Sequence, residues 1–169
     1  MKDRLSALWA RNVIGAVVAV IAIGIIIATV LNDQWTTYRH TVVPETVVAK
    51  GQSGSAGGFT WKVDSIRHLN RSSAAYGPPL PSGTVLTVVT VDRTGPPRDE
   101  ICTGVITDGE REWNAEGVAG FQPKRVEGVT SLCSQPGLLQ FTFLLPREAV
   151  PTAMDIRAFN GYITVRLLL

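Results

Sequence analysis

Two regimes of hydrophobic patterning meet near residue 32. From Val13 to Leu31 the chain reads VIGAVVAVIAIGIIIATVL, with no charge and Thr29 as its one hydroxyl. As a helix this run covers roughly 28 Å, close to the hydrocarbon thickness of a bilayer, and satisfies every backbone amide internally. Trp9 precedes it, and Trp35 and Tyr38 follow. Trp9 and Trp35 are about 39 Å apart along a helix, which sets both indoles at headgroup level. A cleaved signal peptide is the alternative. Its apolar region is usually shorter and ends at a small-x-small site, which Thr29-Val30-Leu31-Asn32-Asp33 does not supply. The run therefore predicts a retained transmembrane helix over 12–32, with a tail at 1–11 and a membrane-proximal connector at 33–41.

Beyond residue 41 the pattern changes to short β segments. Phe59, Trp61 and Val63 alternate with polar residues and share one face, taken as the core face. Thr84–Val91 is a continuous β-branched run of the kind found in central strands. Thr41–Val43 and Glu45–Ala49, interrupted by Pro44, predict a first, edge-type strand. Gly51–Gly58 reads as a flexible linker or a mobile loop. Asp108-Gly109 and Asn160-Gly161 each predict a hairpin with a two-residue turn, and Leu138–Leu145 supplies another strand. Seven or so strands separated by turn signals predict a β-sandwich over 42–169.

The motif order adds a resemblance. A glycine-rich turn leads to Phe59-Thr60-Trp61-Lys62-Val63, and Pro81-Ser82-Gly83 opens the long valine-rich strand. Asp108-Gly109 precedes Trp113, and Pro136-Gly137 precedes the strand that ends Phe143-Leu144-Leu145-Pro146. Residues 42–169 thereby resemble the immunoglobulin-like domains of secreted and membrane-anchored actinobacterial and Gram-positive proteins, the group of the mycobacterial secreted antigen of small β-sandwich type. The resemblance implies an all-β immunoglobulin-like sandwich carried by one N-terminal transmembrane α-helix, and it brings no catalytic residues. The helix and the Cys102 and Cys133 pair depart from that family. In architecture the chain is also similar to accessory subunits of mycobacterial lipid-import (Mce-type) complexes.

Charge orients the protein. Lys2, Arg4 and Arg11 precede the apolar run, against Arg39 and Lys50 in the nineteen residues after it. That bias puts the N-terminus in the cytoplasm and the β domain outside the plasma membrane. Cys102 and Cys133 then sit on the oxidising side and are expected to be bridged, two buried thiols being the alternative. Beyond Leu31 there are thirteen Lys plus Arg and thirteen Asp plus Glu. A neutral domain without a basic cluster lacks the means to grip a phosphate backbone, which argues against nucleic-acid binding.

Candidate chemistry is sparse. His40 and His68 stand without a second ligand at metal spacing, and HExxH, CxxC, GxSxG, P-loop and dinucleotide fingerprints are missing. No catalytic residue, metal or cofactor is expected. Glu110 and Glu112 read as a solvated face. Two features remain. Gly15 with Ala19 and Gly24 with Ala28 are small residues four apart that permit close helix approach, the two pairs facing opposite sides. The irregular stretch Arg67–Gly83, with Arg67, His68, Asn70, Arg71 and Tyr76, offers an adaptable partner loop. The leading expectation is a non-enzymatic accessory or assembly subunit of a cell-envelope membrane complex, such as a lipid or solute transporter. The alternative is a membrane-anchored ligand-binding or sensor module for a lipid or cell-wall component.

Overall fold

A computed structural model describes residues 2–71, 79–97, 101–117, 120–123 and 126–169. It contains an N-terminal unit, Met1–Arg39, and a second unit, His40–Leu169.

The first unit is helical. Helix α1 (Lys2–Ile26) passes into a π turn (Ile27–Leu31), which passes into α2 (Asn32–Val42). In the π turn the Asn32 amide reaches back to the Ile27 carbonyl, and the Thr29 hydroxyl donates to the Ile25 carbonyl at 2.8 Å. The turn begins at the last of three consecutive isoleucines, Ile25–Ile27. The apolar stretch is long enough to cross a bilayer, and none of its window is buried. α2 runs through Thr41 and Val42, residues expected to be strand. It stops there because the residue before Pro44 is disfavoured in the helical region.

The second unit is a β-sandwich. One sheet has the order β1 (Thr46–Val48), β10 (Ile163–Leu168), β9 (Ala153–Ala158), β5 (Cys102–Thr107), β6 (Glu112–Asn114). The other has β2 (Ser53–Ala56), β3 (Phe59–Leu69), β4 (Thr84–Thr94), β8 (Gly137–Pro146), β7 (Val129–Thr130). Neighbours are antiparallel except β1 with β10 and β7 with β8. One core unites both sheets through Phe59, Trp61, Val89, Val91, Phe141 and Phe143 on one side and Ile106, Met154, Ile156 and Val165 on the other. Arg93, fully buried, lays its guanidinium 4.0 Å from the Phe59 ring centroid, and the Trp61 indole donates to the Ala56 carbonyl at 3.0 Å. As the alternation predicted, Phe59 and Trp61 point inward and β4 is central; β1 is an edge strand.

Three local expectations change. The Gly51–Gly58 stretch is neither linker nor open loop, since Ser53–Ala56 pairs with β3 in register Gly54 to Trp61. Gly54 makes this possible: a Cβ there would lie 2.6 Å from Val48 Cγ2. The β9–β10 connection is a three-residue loop, Phe159-Asn160-Gly161. The Gly161 amide bonds to the Ala158 carbonyl, and Gly161 at φ +83° supplies the left-handed residue such loops require. The β5–β6 turn centres on Gly109-Glu110 rather than Asp108-Gly109. There Asp108 accepts from the Glu110 and Arg111 amides and from the Arg111 guanidinium. These bonds, the two backbone ones foremost, hold the Asp108 carboxyl below its ordinary value.

The two ends of the sandwich are distinct. The chain enters at the β9–β10 hairpin, where the Glu45 amide donates to Ile163, His40 stacks on Tyr162 at 5.2 Å and Cys102 faces Ala158. The opposite end carries the end of β3, the start of β4 with Gly83 before it, the Asp108 turn and residues 146–152, tied together by Arg147 to Gly83 and Thr152 to Thr107 backbone bonds.

Candidate functional site

An open cleft of about 840 Å³ lies at one edge of the sandwich. Both sheets wall it. Cys102, Thr103 and Gly104 come from the start of β5, and Gln140, Phe141 and Thr142 from the middle of β8. β7 pairs with β8 only at Leu138 and Leu139, so the β8 edge beyond is free for other partners. The segment leaving β6 takes that place: the Ala115 amide donates to the Gly104 carbonyl at 2.9 Å and the Glu116 amide to the Thr142 carbonyl at 2.7 Å. One short segment therefore laces the sheets together and forms the floor's rim.

Side chains fix this rim. The Glu116 carboxylate accepts from the Phe121 amide at 3.2 Å. The Gln122 amide group donates to the Glu116 and Gly117 carbonyls, while the Thr142 hydroxyl donates to Gln122 Oε1. The opposite wall is pinned by the Cys102–Cys133 disulfide, whose Cα atoms lie 5.7 Å apart. Cys133 is buried and part of the core. Within this satisfied frame Gln140 stands out. Its Oε1 is buried with no hydrogen-bond partner among the described residues, in a cleft that also presents Leu132, Val126, Val129 and Phe141. A buried acceptor left open costs about 1–3 kcal/mol unless something donates to it. The lining is mixed, with Val126, Val129, Leu132 and Phe141 beside Thr103, Glu116, Thr130 and Ser131, a composition that suits an amphiphilic ligand.

No family model matches the chain, and no curated protein matches it. Among solved structures it is similar to an uncharacterized β-sandwich protein from Clostridium difficile 630. The identity is 12%, the TM-score 0.36, and the match covers 73% of this chain and 93% of that one.

A second polar constellation lies on the outer face of the β1-containing sheet. Asp155, only 1% exposed, receives Arg166 Nε and Nη2 on its two oxygens, each at 2.7 Å. Arg157 Nη2 approaches the same carboxylate at 3.8 Å and binds Glu112 at 2.8 and 2.9 Å. The Asp155 carboxylate raises the Arg166 guanidinium further above its ordinary value. Every carboxylate here has a cationic partner, so the group braces β6, β9 and β10. Glu112 is thus a bridging residue and not merely a solvated one.

The sequence-selected residues fall in four places. Trp9, Trp35 and Tyr38 are exposed on the helix, with Trp35 and Tyr38 rings 5.7 Å apart. A Cβ at Gly15 or Gly24 would meet nothing within 4 Å. Ala19 is exposed on α1, whereas Ala28 lies in the π turn, so the α-helical spacing from Gly24 does not carry through to it. Arg67 and His68 prove to be strand residues of β3, and the His68 ring shares a 3.0 Å hydrogen bond with the Thr87 hydroxyl. The partner loop expected from Arg67 onward therefore starts only at Asn70 and Arg71, both exposed; Tyr76 lies outside the described residues. None of these residues lines the cleft except Cys102. Sequence reading missed Glu116, Gln122 and Gln140, because nothing in their local pattern separates them from ordinary loop and strand polar residues. The Asp155 to Arg166 pair did leave a signal, since the two lie equally far from Asn160-Gly161. Among the described residues no group of His, Cys, Asp or Glu gathers as a metal site.

Proposed function

We propose that this chain is a non-enzymatic, membrane-anchored binding module whose β domain lies outside the cytoplasm and whose cleft takes up an amphiphile, a lipid or a cell-wall fragment. The carrying observation is the cleft of mixed apolar and polar lining at the sandwich edge, with Gln140 in its wall holding a buried acceptor that has no hydrogen-bond partner among the described residues. The exposed apolar helix supports the anchor, and the disulfide fits an oxidising compartment. Strand order supports the finer, immunoglobulin-like reading. The run β10-β9-β5-β6 corresponds to G-F-C-C′ and β3-β4-β8-β7 to A-B-E-D, except that β7 runs parallel to β8 where D and E are antiparallel. The disulfide departs from the B–F bridge of antibody domains, joining instead the start of β5 to the segment before β8.

Native mass spectrometry of the full-length protein extracted in mild detergent tests the reading. A discrete bound amphiphile on the wild type, lost in Gln140→Leu, is expected. A wild type free of added mass, indistinguishable from the variant, would count against it.

The accessory-subunit reading is kept for one observation, the open notches at Gly15 and Gly24 on the helix. Close packing there against another membrane helix is what such notches permit. A membrane protein that co-purifies with the wild type and is lost with Gly15→Leu or Gly24→Leu is its expected signature; co-purification unchanged in both variants would end it.

A further inference from the structure

Three large apolar side chains crowd the end of the sandwich through which the chain enters. Phe159 is 87% exposed at the tip of the β9–β10 loop, Ile101 is 70% exposed and Leu132 is 63% exposed. The ladder pair Cys102 to Ala158 puts Ile101 and Phe159 at the same end of adjacent strands. The Cys102–Cys133 bridge brings Leu132 to that end as well. Contact with water at three neighbouring positions of this size is unfavourable, and such clusters mark interaction surfaces.

Chain continuity identifies what covers them. Tyr38 is placed at headgroup level by the anchor reading, and His40 follows it by two residues of α2, about 3 Å of helix rise. The His40 ring stacks on Tyr162, and Tyr162 closes the loop whose tip is Phe159. Within its own unit, the Phe159 loop thus lies beside His40, the residue at which the chain arrives from the anchor.

We infer that Phe159, Ile101 and Leu132 form a membrane-surface patch that seats the entry end of the sandwich on the headgroup region of the bilayer holding the anchor. The inference rests on the anchor reading and adds a second, domain-borne contact with lipid. It holds the cleft, which shares Leu132 with the patch, beside the lipid source.

The test uses full-length protein, disulfide intact, reconstituted in phosphatidylcholine and phosphatidylglycerol vesicles. An environment-sensitive fluorophore is attached at Phe159→Cys or, as control at the opposite end, at Glu148→Cys, an exposed position. Headgroup-region spin-labelled lipid should remove most of the Phe159-site emission and leave the Glu148-site emission unchanged. Phe159→Cys in an Ile101→Ser, Leu132→Ser background should lose most of that quenching. If the protein floats with the vesicles but both sites resist quenching, the patch is overturned and the anchor stands. A Phe159 site shielded from soluble quencher yet untouched by spin-labelled lipid also overturns it, in favour of a protein partner. Failure to float would overturn the anchor itself, and the patch with it.

Discussion

Asp155 and Arg166 face one another across β9 and β10, carboxylate and guanidinium meeting in a two-pronged pair at 2.7 Å on each prong. The carboxylate is sealed from solvent while the guanidinium is 30% exposed. The pair is therefore held by geometry on one side and hydration on the other.

Replacing Asp155 by Ala strands Arg166 and frees Arg157 from one of its two carboxylates. Breaking a buried pair costs about 3–5 kcal/mol, and the partial exposure of Arg166 puts this case at about the lower end. Urea unfolding should show that loss. A change below about 1 kcal/mol, the range of exposed pairs, would mean that the network contributes nothing beyond surface charge.

The bridge between Cys102 and Cys133 closes a loop across a sequence separation of 31. Chain entropy assigns it about 3–4 kcal/mol. The double Cys→Ser variant should unfold at correspondingly lower urea. Wild type treated with reductant should match it, and a wild type insensitive to reductant would contradict the assignment.

Close approach of β2 to β1 depends on Gly54. Gly54→Ala drives a methyl into Val48, an overpacking expected to cost about 1–3 kcal/mol. Val48→Ala should recover part of that loss in the double variant. Purely additive losses would show that the two residues do not meet.

Turn chemistry makes one pH-dependent prediction. Asp108 has its folded-state value depressed below 3.8, chiefly by backbone bonds from Arg111 and Glu110. Its contribution is thus fully present above the unfolded value and is lost as pH falls through the lower folded one. Stability should decline as the solution is acidified past about pH 4, the ordinary aspartate range, and Asp108→Asn should lessen that decline. An unaltered acid slope in the variant would refute the turn's role.

Much of this fold is legible in the sequence. Alternation at Phe59, Trp61 and Val63 and the valine run of β4 report directly on burial, and the Asn-Gly and Asp-Gly signals mark the two hairpins though not the turns that close them. Ser53–Ala56 escaped because glycine and serine usually signal flexibility; only the steric demand of Val48 turns Gly54 into a strand residue. Arg67 and His68 escaped because a bulge near Val63 shifts the register of β3, so its alternation no longer reads continuously. The cleft was illegible in principle. Glu116, Gln140 and Cys102 meet through strand order and a backbone crossing, and no short window of sequence encodes either.

The account stands or falls on the helix being retained and the β domain lying outside, so topology is the measurement to make. Protease added to intact spheroplasts expressing full-length protein should remove the domain after residue 42 and leave an N-terminal fragment protected in the carbonate-washed membrane. A soluble protein lacking the apolar run, or a domain digested only after the membrane is lysed, would contradict the account.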